Sequence, residues 1–169
     1  GGVSPGILQI GLGAELSSAF NMHLKWPNDI VDGRYRKCGG VLCRLQSDGS
    51  VKIGIGMNRY AQDITDAETT GWDVSLPTMS KSTAMYVADA VVASALDPHP
   101  LIGIPNSENL RKSAWKNISK VLSRGNATIV NGIDKRTVRI EENGEISVCG
   151  NSGISSMSEV DKISWKVAA

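Results

Sequence analysis

The spacing of apolar residues predicts a helix followed by a small sheet in the first third of the chain. Between residues 7 and 20, apolar and small residues recur near the helical repeat, which predicts an α-helix. From residue 23 the pattern changes to three strand-like runs, at 23–31, 37–46 and 51–58. Asp-Gly pairs separate these runs, and Asp-Gly is typical of tight hairpin turns. The pattern predicts an antiparallel meander with one buried face.

The remaining pattern predicts a loop, two helices and a second group of strands. Residues 59–77 are polar and irregular, which predicts a loop that returns over the sheet. Ser80 or Thr78 can cap a second helix that runs to residue 95, and Ser107 can cap a third helix. Three short strand-like runs follow, with Asn143-Gly144 as a hairpin turn: 127–130, 137–141 and 145–149. We therefore divide the chain into an α/β domain at 1–124 and a small all-β domain at 125–169.

Composition excludes several classes of function. The chain has 169 residues and a net charge of +1, from 18 Lys and Arg against 17 Asp and Glu. This balance argues against binding nucleic acid or anionic lipid through the whole surface. No apolar run approaches the ~20 residues of a membrane span. The three cysteines are an odd number, in a chain long enough to fold without disulfides, and no secretory signal opens the chain. We therefore expect a cytoplasmic protein with reduced thiols.

The first stretch with candidate chemistry is Lys25-Trp26-Pro27-Asn28-Asp29. Pro27 fixes its own φ and favours an extended conformation at the residue before it, so the strand is expected to end there. Asn28 and Asp29 then stand at a tip with short polar side chains. Pro-Asn-Asp is also ordinary turn chemistry, and this alternative remains open.

The second stretch combines cations with paired glycines. Arg34, Arg36 and Lys37 precede Gly39-Gly40 at the start of a predicted strand. Adjacent glycines permit close approach to the backbone, and the cations favour a carboxylate or phosphate nearby. A solvated basic hairpin tip is the alternative interpretation.

The third stretch is Ile53-Gly54-Ile55-Gly56-Met57-Asn58. Because side chains alternate along a strand, Gly54 and Gly56 leave the same face without side chains, which suggests that a flat ligand lies there. The stretch is not a dinucleotide fingerprint, since no helix pattern follows it, and the chain contains no Gly-Lys-Ser/Thr of a P-loop.

In this order and spacing, the three stretches resemble the catalytic core of biotin protein ligases. Gly71-Trp72 and Gly132-Ile133-Asp134 extend the resemblance over nearly the whole chain. The resemblance implies an α+β fold with a mostly antiparallel sheet packed against helices, as in class II aminoacyl-tRNA synthetases. A small SH3-like β module would follow at 125–169.

The resemblance also implies a two-step reaction. Biotin and ATP would form biotinyl-5′-adenylate, and the acyl group would pass to a lysine of a biotin carboxyl carrier domain. Lys37 matches the family's catalytic lysine, which neutralises the charge that develops when a carboxylate attacks a phosphate. Gly40 and Val41 would offer backbone contacts to the biotin ring, with Gly54 and Gly56 as the floor beneath it.

Further ligand contacts follow from the same resemblance. Asn28 and Asp29 would orient the triphosphate directly or through Mg²⁺, with Asp29 as the metal ligand. Trp72 would stack on adenine, although an aromatic residue in a loop is as often a packing anchor. The full implied set of biotin- and ATP-binding residues is Lys25, Trp26, Asn28, Asp29, Gly39, Gly40, Val41, Gly54, Gly56, Asn58 and Trp72.

The sequence departs from the family pattern at its start. The family's Gly-Arg-Gly-Arg-x-Gly-Arg loop is not found among the 169 residues, nor are its first strands. We therefore expect the C-terminal part of a longer ligase, or one half of a split ligase. A second chain, a homodimer partner or the missing polypeptide is expected to cover the exposed sheet edge.

Three other functions stay open. A lipoate or octanoate ligase shares the superfamily, and a non-catalytic partner subunit or pseudoenzyme would explain the missing loop. A metal site of Cys38, Cys43 and His23 is the third, but its Cys-x₄-Cys spacing lacks a second ligand pair.

Overall fold

The computed structural model describes residues 4–64 and 68–96, together with four short strands at 127–129, 138–140, 146–148 and 163–165. The predicted third helix at 107–122, the Gly132-Ile133-Asp134 motif and the closure of an SH3-like barrel lie outside the described residues. The two-domain boundary near residue 124 lies outside them as well.

Helix α1 spans Pro5–Ala19 and confirms the first predicted helix. Ser4 caps it by accepting a hydrogen bond from the backbone N–H of Ile7 at 3.2 Å, and Pro5 occupies the first turn, where its missing N–H costs nothing. Ten of the eleven residues from Ile7 to Ser17 are buried, and the exception is Glu15, which is exposed. A helix that is apolar on nearly all sides belongs in a core, and α1 lies against the sheet.

The sheet has four antiparallel strands in the order β1-β2-β3-β4. Their bounds are His23–Lys25, Asp29–Val31, Lys37–Leu45 and Val51–Met57. The prediction of a single strand over 23–31 is wrong, because this run forms both β1 and β2, joined by a turn at 26–28. Pro27 has no N–H to donate to a ladder, so the chain reverses there.

The two hairpin turns differ from each other. At the turn between β3 and β4, Gly49 has a φ of +84°, as the Asp-Gly signal predicts. The loop between β2 and β3 is wider, and its positive φ falls on Tyr35 rather than on Gly33. There the Asp32 carboxylate organises the loop by accepting from the backbone N–H groups of Arg34 and Arg36, at 2.8 and 3.0 Å.

The two faces of the sheet have opposite character. On one face Leu24, Ile30 and Val41 are buried against α1. The other face carries a row of residues in register across all four strands: Lys25, Asp29, Gly40 and Gly56. Register partners point to the same side of a sheet, so these four positions share one surface, which we call the open face.

The segment after β4 is a loop, as predicted, and leads into a second helix. It contains one turn of 3₁₀ helix at Trp72–Val74. Helix α2 spans Lys81–Leu96, and Ser80 caps it by accepting a hydrogen bond from the N–H of Thr83 at 3.1 Å. No helix among the described residues has the length and apolar character needed to cross a membrane.

The four short strands beyond residue 126 pair in two antiparallel ladders. Strand β5 (Ala127–Ile129) pairs with β8 (Ile163–Trp165), and β6 (Val138–Ile140) pairs with β7 (Ile146–Val148). The three predicted strands are therefore present, and β8 adds a strand that the sequence pattern did not indicate.

Candidate functional site

An ion pair joins the first residues of two neighbouring strands. The ammonium Nζ of Lys37, which opens β3, lies 2.6 Å from the carboxylate Oδ1 of Asp29, which opens β2. Both side chains keep contact with solvent, at 53% and 23% exposure. The loop between β2 and β3 brings together two residues that the sequence singled out in separate stretches.

The backbone of Lys37 is held by a segment that sequence reasoning missed. Its N–H donates to the carbonyl oxygen of Glu68 at 3.0 Å, and its own carbonyl accepts from the N–H of Thr70 at 2.9 Å. Gly71 then passes so close to Arg59 that a Cβ would overlap the carbonyl oxygen of that residue. This close passage is a physical reason for glycine before Trp72. No signal in the sequence marks Glu68 or Thr70.

Asn58 supports the same region through its backbone. Its N–H donates to the carbonyl of Cys38 at 2.7 Å, and its carbonyl accepts from the N–H of Trp72 at 3.0 Å. The register between β2 and β3 shifts beside Cys38, so these bonds stabilise an irregular stretch of β3 next to Lys37.

The two cysteines of β3 are protonated at neutral pH. Burial raises the pKa of the Cys38 thiol to about 11, and burial likewise raises the pKa of Cys43 to about 11. Metal binding requires the thiolate, so these environments disfavour it. Within the described parts of the chain, no group of three His, Cys, Asp or Glu residues is placed to hold a metal ion.

The glycines of β4 leave the open face bare. A Cβ on Gly56 would meet nothing within 4 Å, and one on Gly54 would meet only the Leu42 carbonyl oxygen, at 3.8 Å. The residues between and beside them point to the opposite, buried face: Val51, Ile53, Ile55 and Met57. The predicted bare face is therefore present.

The paired glycines of β3 have structural reasons to be glycine. A Cβ on Gly39 would overlap the carbonyl oxygen of Gly56, and one on Gly40 would lie 2.9 Å from the carbonyl oxygen of Asn28. The N–H of Val41 already donates to that Asn28 carbonyl at 3.0 Å, and the Val41 side chain is buried. Because these backbones pack against each other, neither the N–H nor the side chain of Val41 is free to contact a ligand.

Both tryptophans implied in ligand binding lie in the core. Trp26 is fully buried. Trp72 packs edge-on against Phe20 with ring centroids 6.0 Å apart, and its Nε1–H donates to the Met79 carbonyl at 3.4 Å. A cavity of ≈ 170 Å³ beside Trp72 is lined by Ile55 and Met57, on the buried side of β4. The structure therefore places Trp72 as a packing anchor, away from the open face.

Two of the three cations before the glycines already have carboxylate partners. Arg36 pairs with Asp32 at 2.7 Å, and Lys37 pairs with Asp29. Lys25 faces Asp29 in register, and no ion pair involves it within the described ranges. The three charges at this end of the open face, on Lys25, Asp29 and Lys37, sum to +1.

The arrangement suits a flat molecule with an anionic end. The ring would lie over the bare backbone of Gly54 and Gly56, and the anion would meet the lysines at one end of the strip. Asp29 can serve a Mg²⁺ ion only as one ligand among several. Such an ion would take most of its oxygens from water and from phosphates, as Mg²⁺ at nucleotide sites does.

The fold of this chain is similar to that of solved biotin protein ligases. The chain matches the biotin protein ligase of Aquifex aeolicus with a TM-score of 0.57 and 20% identity, over 95% of this chain and 75% of that chain. It matches an arginine-to-glycine variant of the same ligase in complex with biotin with a TM-score of 0.57 and 20% identity, over 96% and 70%. The complex of the Aquifex aeolicus ligase with biotin and ATP is matched with a TM-score of 0.52 and 20% identity, over 95% of this chain and 71% of that chain.

No protein-family model matches the sequence, and no curated protein matches it. At 20% identity the structural likeness shows the fold, and it confirms the expected similarity to biotin protein ligases in an α+β arrangement.

Proposed function

We propose that this chain carries the core of a biotin protein ligase, which activates biotin with ATP and transfers it to a lysine of a carrier domain. The observation that carries the proposal is the Lys37–Asp29 pair at the end of a sheet face bared by Gly54 and Gly56. The shared fold supports it, because biotin and ATP are bound in solved structures of that fold.

In the first step, a carboxylate oxygen of biotin attacks the α-phosphorus of ATP, and pyrophosphate leaves. Two anions approach each other, so the reaction needs a fixed cation between them. Lys37 would supply it. The backbone bonds from Glu68 and Thr70 hold the start of β3, so the ammonium group is anchored on a rigid element.

In the second step, the amine of an acceptor lysine attacks the acyl carbon, and AMP leaves. The half-exposed Lys37 ammonium would stabilise the negative charge that develops on the carbonyl oxygen of the acyl group during this attack. The exposure of this end of the sheet would admit an acceptor side chain carried by another protein. We propose a carboxyl carrier domain as that acceptor, acting in the cytoplasm.

Magnesium would enter with the triphosphate. It would neutralise phosphate charge, with Asp29 as its protein ligand and Asn28 beside it. Trp72 has no part in this proposal, because its ring is engaged in the core.

The test is calorimetric titration of biotin, with and without ATP and Mg²⁺, into the full chain. Lys37→Ala should weaken biotin binding about tenfold or more, since it removes a charged hydrogen-bond donor. Lys52→Ala is the matched control, because Lys52 is an exposed lysine of the same sheet, at the far end of β4. Equal effects of the two substitutions, or no binding by the unaltered chain, would contradict the proposal.

Two further assays identify the reaction. Competition between biotin and lipoate in the same titration distinguishes the two acids. Mass spectrometry of a carrier domain incubated with the chain, biotin and ATP tests transfer. A mass gain on the carrier eliminates a purely non-catalytic partner role.

A further inference from the structure

Asp29 lies within reach of two lysines but pairs with one. Lys37 Nζ is 2.6 Å from its Oδ1, and Lys25 is its register partner on β1. Direct register partners have Cβ atoms about 4.5–5.5 Å apart on the same face, close enough for a short carboxylate to meet a lysine. Lys25 forms no ion pair with any residue that the structure describes.

This arrangement conflicts with the role proposed for Lys37. An ammonium group has three N–H donors, and Asp29 holds one of them and neutralises the charge. An incoming carboxylate would also meet the negative charge of Asp29 at the same place. The proposed function therefore requires that Asp29 leave Lys37 when the ligand arrives.

We propose that Asp29 is a positioning residue that exchanges its ion pair from Lys37 to Lys25 when an anion binds at Lys37. This inference rests on the proposed function for the identity of the anion. The charges favour it: two lysines and one aspartate sum to +1, so one bound carboxylate group completes neutrality. After the exchange the anion lies on Lys37 and one carboxylate oxygen of Asp29 lies on Lys25, which leaves the other oxygen for the proposed Mg²⁺.

The surroundings of Asp29 allow the movement. Its side chain is 23% exposed, and it stands beside Gly40, where a Cβ would lie 3.6 Å from Oδ1. Because Gly40 has no side chain, the carboxylate has room to turn. The backbone need not move, since Lys25 and Asp29 are already directly paired in the ladder.

The exchange is tested by a double-mutant cycle on the full chain, with biotin and inorganic pyrophosphate titrated separately by calorimetry. Asp29→Asn removes the competing charge and should tighten anion binding about three- to tenfold. Lys25→Met leaves Asp29 on Lys37 and should weaken binding by a similar factor. In the Asp29→Asn background, Lys25→Met should change the affinity about twofold or less, because Lys25 acts through Asp29.

Lys52→Met is the control for loss of charge. Lys52 lies on the same face, four residues along β4 from Gly56, which is about 13 Å at the rise of a strand. Lys52→Met should therefore change the affinity for either anion little. Asp29→Ser serves as a second variant if Asp29→Asn unfolds, and thermal unfolding of every variant checks the fold.

The outcomes separate the inference from the proposed function. Weaker or unchanged binding in Asp29→Asn, or an equal effect of Lys25→Met in both backgrounds, overturns the exchange. The expected pattern with pyrophosphate but no binding of biotin by any variant supports the exchange and contradicts the proposed acid substrate. An Asp29→Asn variant that binds neither anion overturns the exchange.

Discussion

The side-chain oxygen of Gln9 accepts a hydrogen bond from the backbone N–H of Cys43 at 3.0 Å, and the bond is buried. Gln9 is a polar residue inside the otherwise apolar helix α1, and it is only 3% exposed. Strand β2 pairs with β3 only as far as Gly40, so the N–H of Cys43 lacks a strand partner on that side. The helix therefore completes the hydrogen bonding of the sheet.

Replacing Gln9 should destabilise the protein. Gln9→Leu keeps a similar volume but leaves the Cys43 N–H buried without an acceptor, which costs about 1–3 kcal/mol. Urea unfolding followed by tryptophan fluorescence measures the change. Gln46→Leu, at an exposed position, should change the free energy of unfolding by less than about 0.5 kcal/mol. Equal effects at the two positions would contradict a structural role for the Gln9 bond.

A side chain added to the open face should lower the affinity for biotin without lowering the stability of the fold. Gly56→Val places a β-branched residue where a Cβ meets nothing within 4 Å, so the strand should be unchanged or stabilised by up to about 1 kcal/mol. The same side chain would occupy the space proposed for the biotin ring. We expect biotin affinity to fall by about tenfold or more, measured by calorimetry.

Lys52→Val is the matched control for this substitution, since it adds valine to the same face of the same strand, away from the glycines. An affinity that survives Gly56→Val with the fold intact would place biotin elsewhere.

Alkaline pH should destabilise the protein through its buried thiols. In the folded chain the pKa values of Cys38 and Cys43 are about 11, against an ordinary value of 9.0. Between these values the unfolded chain loses thiol protons that the folded chain retains, so the free energy of unfolding falls as pH rises. The stabilisation is complete below pH 9 and is lost progressively toward pH 11.

Urea midpoints at pH 8 and pH 10, in the presence of a reductant, measure this loss. The fall should not exceed about 1.4 kcal/mol per pH unit and thiol. The Cys38→Ala/Cys43→Ala double variant, although less stable at pH 8, should show a shallower decrease. A decrease of the same size in both proteins would assign the effect to other groups.

Helix α2 should depend on its cap. Ser80→Ala removes the acceptor for the Thr83 N–H and should cost about 1 kcal/mol of stability. Ser94→Ala, at an exposed position within the same helix, should be neutral or slightly stabilising, because alanine is the better helix former. Circular dichroism during thermal unfolding compares the two variants, and a Ser94→Ala loss as large as that of Ser80→Ala would argue against the cap.

Local chemistry accounts for the features of the fold that the sequence predicted. The apolar run of α1, the Gly49 turn and the Ser80 cap each depend on residues within a few positions of one another. The alternate glycines of β4 are of the same kind, because the period of a strand puts Gly54 and Gly56 on one face wherever the strand lies. Such features can be predicted from the local sequence without knowledge of the rest of the chain.

Only the tertiary structure decided which face each candidate residue occupies and what it contacts. Trp72 is a packing residue because Phe20, more than fifty positions earlier, lies against its ring. The turn that divides β1 from β2 brings Lys25 opposite Asp29, and the next loop brings Lys37 to the same carboxylate. The hydrophobic pattern determines that a buried face exists, but the pairing of charges on the opposite face depends on strand register and on loops whose course the pattern does not encode.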